Sequence, residues 1–411
     1  MQKIIFTMLT AVTLSGMLVM GCKKDSVTTA TTTSTTTWYR QSGNSATKTQ
    51  QTYYSTIGDT SAVFVTNSGT FNLSDSKIWS SGNTSSTDNS SFYGLNAAVL
   101  ATSGSTITLT NDSIITMGIS GNGVFSYGTA SVVLKNNYIK CSGDGGHGVY
   151  AAGGGTLTAT DVTAITSGGS SSIIATDRGG GTITITGGSD TTSGNNSADV
   201  YSTGTVNVTG AVLQANGAEA VVIEGSNNAT LTNCTTTAAY DKWGIMIYQS
   251  SSGDASGTVG KVTISGGSLT YTGSKGGLFY NTNDTAYVYL SNVTIVNSCD
   301  TLVRSILGSW GGSSATQGGN THLVCNNQII SGIIYVDANS KATLNLANSS
   351  AYTGRINTGK IAKTAAATLD TTSSWNLTGD SYLTSFTNAN STNSNITANG
   401  YHIYLNGTKI L

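Results

Sequence analysis

Apolar and polar positions alternate along most of this chain in a short phrase that returns again and again. One copy, Ile107-Thr108-Leu109-Thr110-Asn111-Asp112-Ser113-Ile114, reads apolar, x, apolar, x, Asn, x, x, apolar. Aligned on the fifth position, the copies place Asp75, Asn111, Asn136, Asp161, Gly187, Gly210, Asn233, Gly266, Asn292, Asn326, Asn348, Gly379 and Gly407 in one column. Asn, Asp and Gly enter the left-handed backbone region at low cost, so this column predicts a sharp turn after each short strand. Two positions earlier the column runs from Leu73 and Leu109 to Leu377 and Leu405, and every member is aliphatic or Ala. The turn residues recur at gaps of 22 to 36 residues. A period of that length predicts one supersecondary unit per repeat, stacked as a solenoid.

Each repeat carries two further strand signals. One precedes the phrase, as in Gly123-Val124-Phe125-Ser126, Gly148-Val149-Tyr150-Ala151 and Gly244-Ile245-Met246-Ile247. The other follows the turn and carries Ile78, Ile114, Ile139, Leu213, Leu269, Ile295, Ile329 and Ile410. Three strands per coil with one Asn-marked turn resembles the right-handed parallel β-helix of the pectin-lyase-like proteins. The resemblance implies an all-β solenoid of about 13 coils over residues 61–411, with 38–60 as an N-terminal cap. It says little of activity, because many functions share the scaffold. His322 and Asp190 fall at inward positions of the pattern, and Asp190 is read as marking a shifted turn rather than a buried charge.

The N-terminus reads differently. Lys3 and the apolar run Ile4 to Met20 form a targeting signal over 1–21. Val19-Met20-Gly21-Cys22 resembles a bacterial lipobox, which implies lipidation at Cys22, export, and a membrane link through the lipid alone. After Cys22, the Thr-rich tract to residue 37 reads as a tether. The expected location is the bacterial outer membrane or cell surface.

Composition adds exclusions. Only 9% of residues are charged and the net charge is -1, so no electrostatic case for nucleic acid exists. Pro is absent and Gly numbers 51, as ladders and tight turns require. Cys141, Cys234, Cys299 and Cys325 fall at separate points of the coils and are expected as free or buried thiols.

Candidate chemistry gathers on the strand that leads each repeat. If Val124, Val149, Ile173 and Ile245 face inward, then Phe125, Tyr150, Ile174, Tyr201, Val222, Met246, Phe279, Val303 and Ile334 face out. Tyr127, Thr176, Glu224 and Tyr248 follow two places on. An outward aromatic stripe means a binding surface, or a face covered by the protein's own loops. Long gaps place insertions at 80–93, 250–260 and 307–320. In a chain so poor in charge, Asp177, Arg178, Glu224, Lys242, Trp243 and Gln249 near this stripe complete the candidate ligand-binding set.

No catalytic set emerges. Gly146-His147-Gly148 resembles the Gly-His-Gly of polygalacturonases, but the acidic and basic motifs of that family are missing from the matching order. No cofactor is expected. Calcium is not supported, since Asp177 and Glu224 lie two coils, roughly 10 Å, apart and the ion takes about six to eight oxygens. Outward Thr-x-Thr pairs resemble those of ice-binding solenoids, but the array is interrupted at Val133 and Lys135. The expected function is a surface-anchored, non-catalytic, adhesin-like protein that recognises polysaccharide or a cell-surface glycan. The alternative is a polysaccharide lyase or glycoside hydrolase.

Overall fold

A computed structural model describes residues 38–314 and 317–411. The targeting signal, Cys22 and the tether lie outside the described residues. The chain winds into a parallel β-solenoid of about 14 turns with one short α-helix. Strands from successive turns build three parallel sheets of 15, 14 and 10 strands. In the fourth coil, Val124–Tyr127 belongs to the first sheet, Ser131–Lys135 to the second and Tyr138–Cys141 to the third. Each pairs in register with its equivalents 25 residues on: Val124 with Val149, Val132 with Leu157, Ile139 with Ala164.

The in-register stacking explains the core. Leu73, Leu109, Leu134 and Ala159 lie one above the next and are buried, as are Ile78, Ile114, Ile139 and Ala164. A buried aliphatic side chain contributes about 1.5–3 kcal/mol, and only neighbouring coils supply that burial. Residues 38–60, expected as a cap, form a coil of their own: Tyr39–Ser42, Ser45–Thr49 and Thr52–Ser55 begin the three sheets.

The corner residues behave as the pattern requires over most of the rod. Asp75, Asn111, Asn136, Asp161, Asn233, Asn292 and Asn348, with Gly187, Gly210 and Gly266, all have positive φ. The Asn amides also bond along their own file, Asn136 Nδ2 donating to Asn111 Oδ1 at 2.9 Å and Asn111 Nδ2 to Asp75 Oδ1 at 3.1 Å. Beyond Asn292 the pattern departs at every corner but Asn348. The left-handed residue is Asn327, not Asn326, so Leu323 and Cys325 face the core while Val324 faces out. His322 therefore points outward and stacks on Tyr287 at 4.6 Å. The third sheet ends at Thr294–Asn297, and Ile329 is exposed, with Ile330 taking the inward place. Gly379 follows a first-sheet strand, and Gly407 lies in the hairpin joining Ile403–Leu405 to Thr408–Lys409. The final strands shorten, and Tyr352 and Trp375 fill the interior below them.

A second glycine file was not anticipated. Gly118, Gly143, Gly168, Gly194 and Gly217 stand at the bend from the third sheet to the first, and a Cβ on any of them would strike the carbonyl of the glycine one coil before. The steric demand, not φ, excludes a side chain here.

Asp190 is a buried carboxyl rather than the mark of a shifted turn. It pairs with Ala164 on one side and Leu213 on the other, and so projects into the core. Burial raises its carboxyl to about 8, and burial, with Asp190 nearby, raises that of Asp199 well above the usual carboxylate range. The four cysteines are free and buried.

Candidate functional site

The outward face of the first sheet is where the predicted residues lie, and its register corrects several of them. Ile174 pairs with Val149 and faces the core, so Ala175 faces out in its place. Phe279, Val303 and Ile334 are likewise in the core, and Tyr280, Arg304 and Tyr335 take the outward positions. Thr176 faces in and Asp177 out. In these coils Ile173 and Leu278 occupy the place that Gly148 and Gly244 hold in others, and two adjacent apolar residues hide the alternation.

The insertion at 80–93 contains the helix Thr87–Tyr93. The Ser86 side chain caps it by accepting from Asn89 N, and Gly94 ends it in the left-handed region at φ 76. Ser90 anchors it to the rod by donating to Ser120 O at 2.6 Å. The segment covers the start of the stripe. Phe125 and Tyr150 stack at 4.6 Å and are fully buried there. Tyr127 is half-buried and meets Tyr93 edge-on at 5.4 Å.

The insertion at 250–260 covers the next part, and Arg178 joins the two insertions. Its guanidinium lies 3.9 Å from the Phe92 ring centroid and 3.4 Å from Asp254 Oδ1. Beneath it Tyr150 Oη donates to Asp177 Oδ2 at 2.9 Å. Burial raises the Asp177 carboxyl to about 6, against the lowering effect of its bonds from Arg178 N and Tyr150. Glu224 is also buried, and gathers four hydroxyls. Tyr201 donates to Oε2 at 2.7 Å and Tyr248 at 2.8 Å, while Ser252 at 3.2 Å and Ser250 donate to Oε1. Gln249 holds its own loop, donating to Ser250 O and Ala255 O. Trp243 stacks on Tyr280 at 3.9 Å.

What remains open is a cleft of about 740 Å³. Its floor crosses the loops that lead from the third sheet back to the first, one loop per coil, through Ser120, Asp144, Ser170, Asn196, Glu219 and Lys242. Tyr201, Met246 and Tyr248 form the wall on the first sheet. The helix stands at one end with Thr87 and Ser91, and Trp310 of the insertion at 307–320 stands at the other, 5.3 Å from Tyr248.

Of the predicted set, Tyr201, Lys242 and Tyr248 thus line one cleft. Phe125 and Tyr150 lie beneath the helix, Asp177 and Glu224 are buried in the network under the insertions, and Arg178, Trp243 and Gln249 hold covering segments or neighbours. Glu219 and Trp310 were not singled out. Glu219 follows Gly217-Ala218 in a bland loop, and Trp310 gave one signal, a large aromatic within a glycine- and serine-rich insertion. His147 also lines the cleft; burial lowers its pKa to about 4, and its Nδ1 lies 3.2 Å from Ser172 O. Among the described residues no cluster of three or more His, Cys, Asp or Glu side chains converges to hold a metal ion. Comparison with protein-family models, curated proteins and solved structures finds no match to this chain.

Proposed function

We propose that this chain is an exported, lipid-anchored, non-catalytic β-solenoid that binds polysaccharide at the bacterial surface. It resembles adhesin-like proteins built on the pectin-lyase-like scaffold. One observation carries the reading: the cleft joins the half-buried ring of Tyr201 and the exposed ring of Trp310 to a floor of hydroxyls and amides. Flat rings stack on the CH faces of sugars, and fixed polar groups orient their hydroxyls. The cleft also runs along the coils, as an extended polymer needs.

The alternative, a lyase or hydrolase, finds less support. Asp177 and Glu224, the carboxylates of the predicted set, are occupied by Tyr and Ser hydroxyls beneath the insertions rather than open to the cleft. A panel of soluble polysaccharides in affinity electrophoresis tests the reading. Retardation by a polymer, lost in Trp310→Ala and without release of reducing or unsaturated ends, is expected. Sustained turnover would overturn it in favour of the enzyme.

A further inference from the structure

The cleft carries an unbalanced set of charges and one unusual carboxylate. Glu219 lines it, is 8% exposed, and among the described residues receives no hydrogen bond from another residue. Its oxygens open to the cleft and meet no donor from another residue, so a ligand hydroxyl can take the place of water there. Burial raises the Glu219 carboxyl above its ordinary value, and Lys242 nearby partly opposes that shift. Asp144, exposed on the floor three coils away, is not matched by a cation among the cleft residues. One of its oxygens accepts from Gly169 N at 2.8 Å. His147 is neutral at pH 7, since burial holds its pKa at about 4.

We infer that the cleft takes a neutral glycan, with Glu219 accepting hydrogen bonds from its hydroxyl groups and Asp144 repelling uronates and sulfated chains. The inference rests on the polysaccharide-binding reading and narrows it to one ligand class. An ionised carboxylate that accepts from hydroxyls makes charge-assisted bonds, while a ligand carboxylate in the same place would face like charge at short range. Lys242, the one cation among the cleft residues, stands near Glu219, so an acidic sugar reaching it would also meet that carboxylate.

The test uses the purified chain at fixed ionic strength in gels containing a neutral β-glucan, xylan or galactomannan, and in parallel gels containing polygalacturonate or alginate. Retardation by at least one neutral polymer and by neither uronate is expected. Glu219→Gln, which keeps the side chain's shape, should weaken binding roughly ten- to hundredfold, the usual worth of hydrogen bonds to a charged group. Asp144→Asn should raise retardation by the uronates relative to that by the neutral polymer. Circular dichroism and melting of each variant report its fold, and Glu219→Asp, retaining the charge, serves if Glu219→Gln does not fold. Uronate binding as strong as neutral binding overturns the inference and leaves the polysaccharide reading standing. Neutral binding unchanged in Glu219→Gln but lost in Trp310→Ala overturns the role of Glu219. Failure of every polymer to retard the chain removes the polysaccharide reading itself.

Discussion

Replacing Asp190 by Asn should stabilise the rod at neutral pH and do little at pH 4. Asp190 sits on the inner face of Ser189–Thr192, between Ala164 and Leu213 of adjacent coils, and burial raises its carboxyl to about 8. In the unfolded chain the same group titrates near ~3.9. Between these values the folded chain retains a proton that the unfolded chain has released. Stability therefore falls as pH rises from about 4 to about 8, at about 1.36 kcal/mol per pH unit. By pH 7 the loss amounts to a few kcal/mol, shared with Asp199, whose titration is tied to that of Asp190. Asp199, also raised, acts in the same direction, and both of its carboxylate oxygens are buried without a partner. Asn keeps the shape and cannot ionise. The gain of Asp190→Asn over the parent should thus be near zero at pH 4 and reach its share of that loss at pH 7. Urea melts at pH 4.5, 6 and 7.5 measure it as a shift in midpoint at constant slope. Asp112 and Asp177, both raised to about 6, and Asp284, raised to about 7, titrate in both proteins and cancel in the difference. A difference that stays constant across the three pH values would refute the reasoning.

Other outcomes follow from the same geometry. His147 is neutral in the fold down to about pH 4, so stability should fall as pH drops below about 6.5, by about 1.36 kcal/mol per unit; in His147→Asn that part of the acid slope, read by urea melts, should vanish. Gly168→Ala should destabilise by at least about 2 kcal/mol because its methyl meets the Gly143 carbonyl. Gly210→Ala, with open space but φ +67, should cost only about 1–2 kcal/mol. Glu224→Ala strips the partner from the Tyr201 and Tyr248 hydroxyls and should cost about 2–3 kcal/mol, with faster proteolysis at 250–256. Arg178→Ala, whose ion pair is half exposed, should change the melting midpoint little yet also speed cleavage there.

The coils were legible because a stacked solenoid repeats its demands. The same corner asks for Asn, Asp or Gly each time, and the same inner site asks for Leu or Ile, so register accumulates over the chain. The reading slipped where one coil met the demand differently. Ile173 in place of a glycine hid the alternation at Ile174, and Asn326-Asn327 offered two turn residues where the backbone used the second. The helix Thr87–Tyr93 escaped notice because under two turns of TDNSSFY carry no periodicity; only Ser86 and Gly94 marked its ends. The cleft was half legible. Tyr201 and Tyr248 stood out through alternation along a strand, whereas covering of Phe125 and Tyr150 depends on how an insertion folds back, which strand pattern does not encode. Glu219 and Trp310 became site residues only through distant segments meeting.

The loop-by-loop floor of the cleft makes it a ruler. Each coil contributes one mark, at steps of about 4.8 Å along the axis, and the bend glycines stop a side chain from forcing those marks apart. Gaining or losing a whole coil would lengthen or shorten the reach by one step while leaving Glu219 and the aromatic end undisturbed. If the cleft holds a polymer as proposed, how much of it is measured and which monomer is chosen could therefore diverge independently in descendants of this chain.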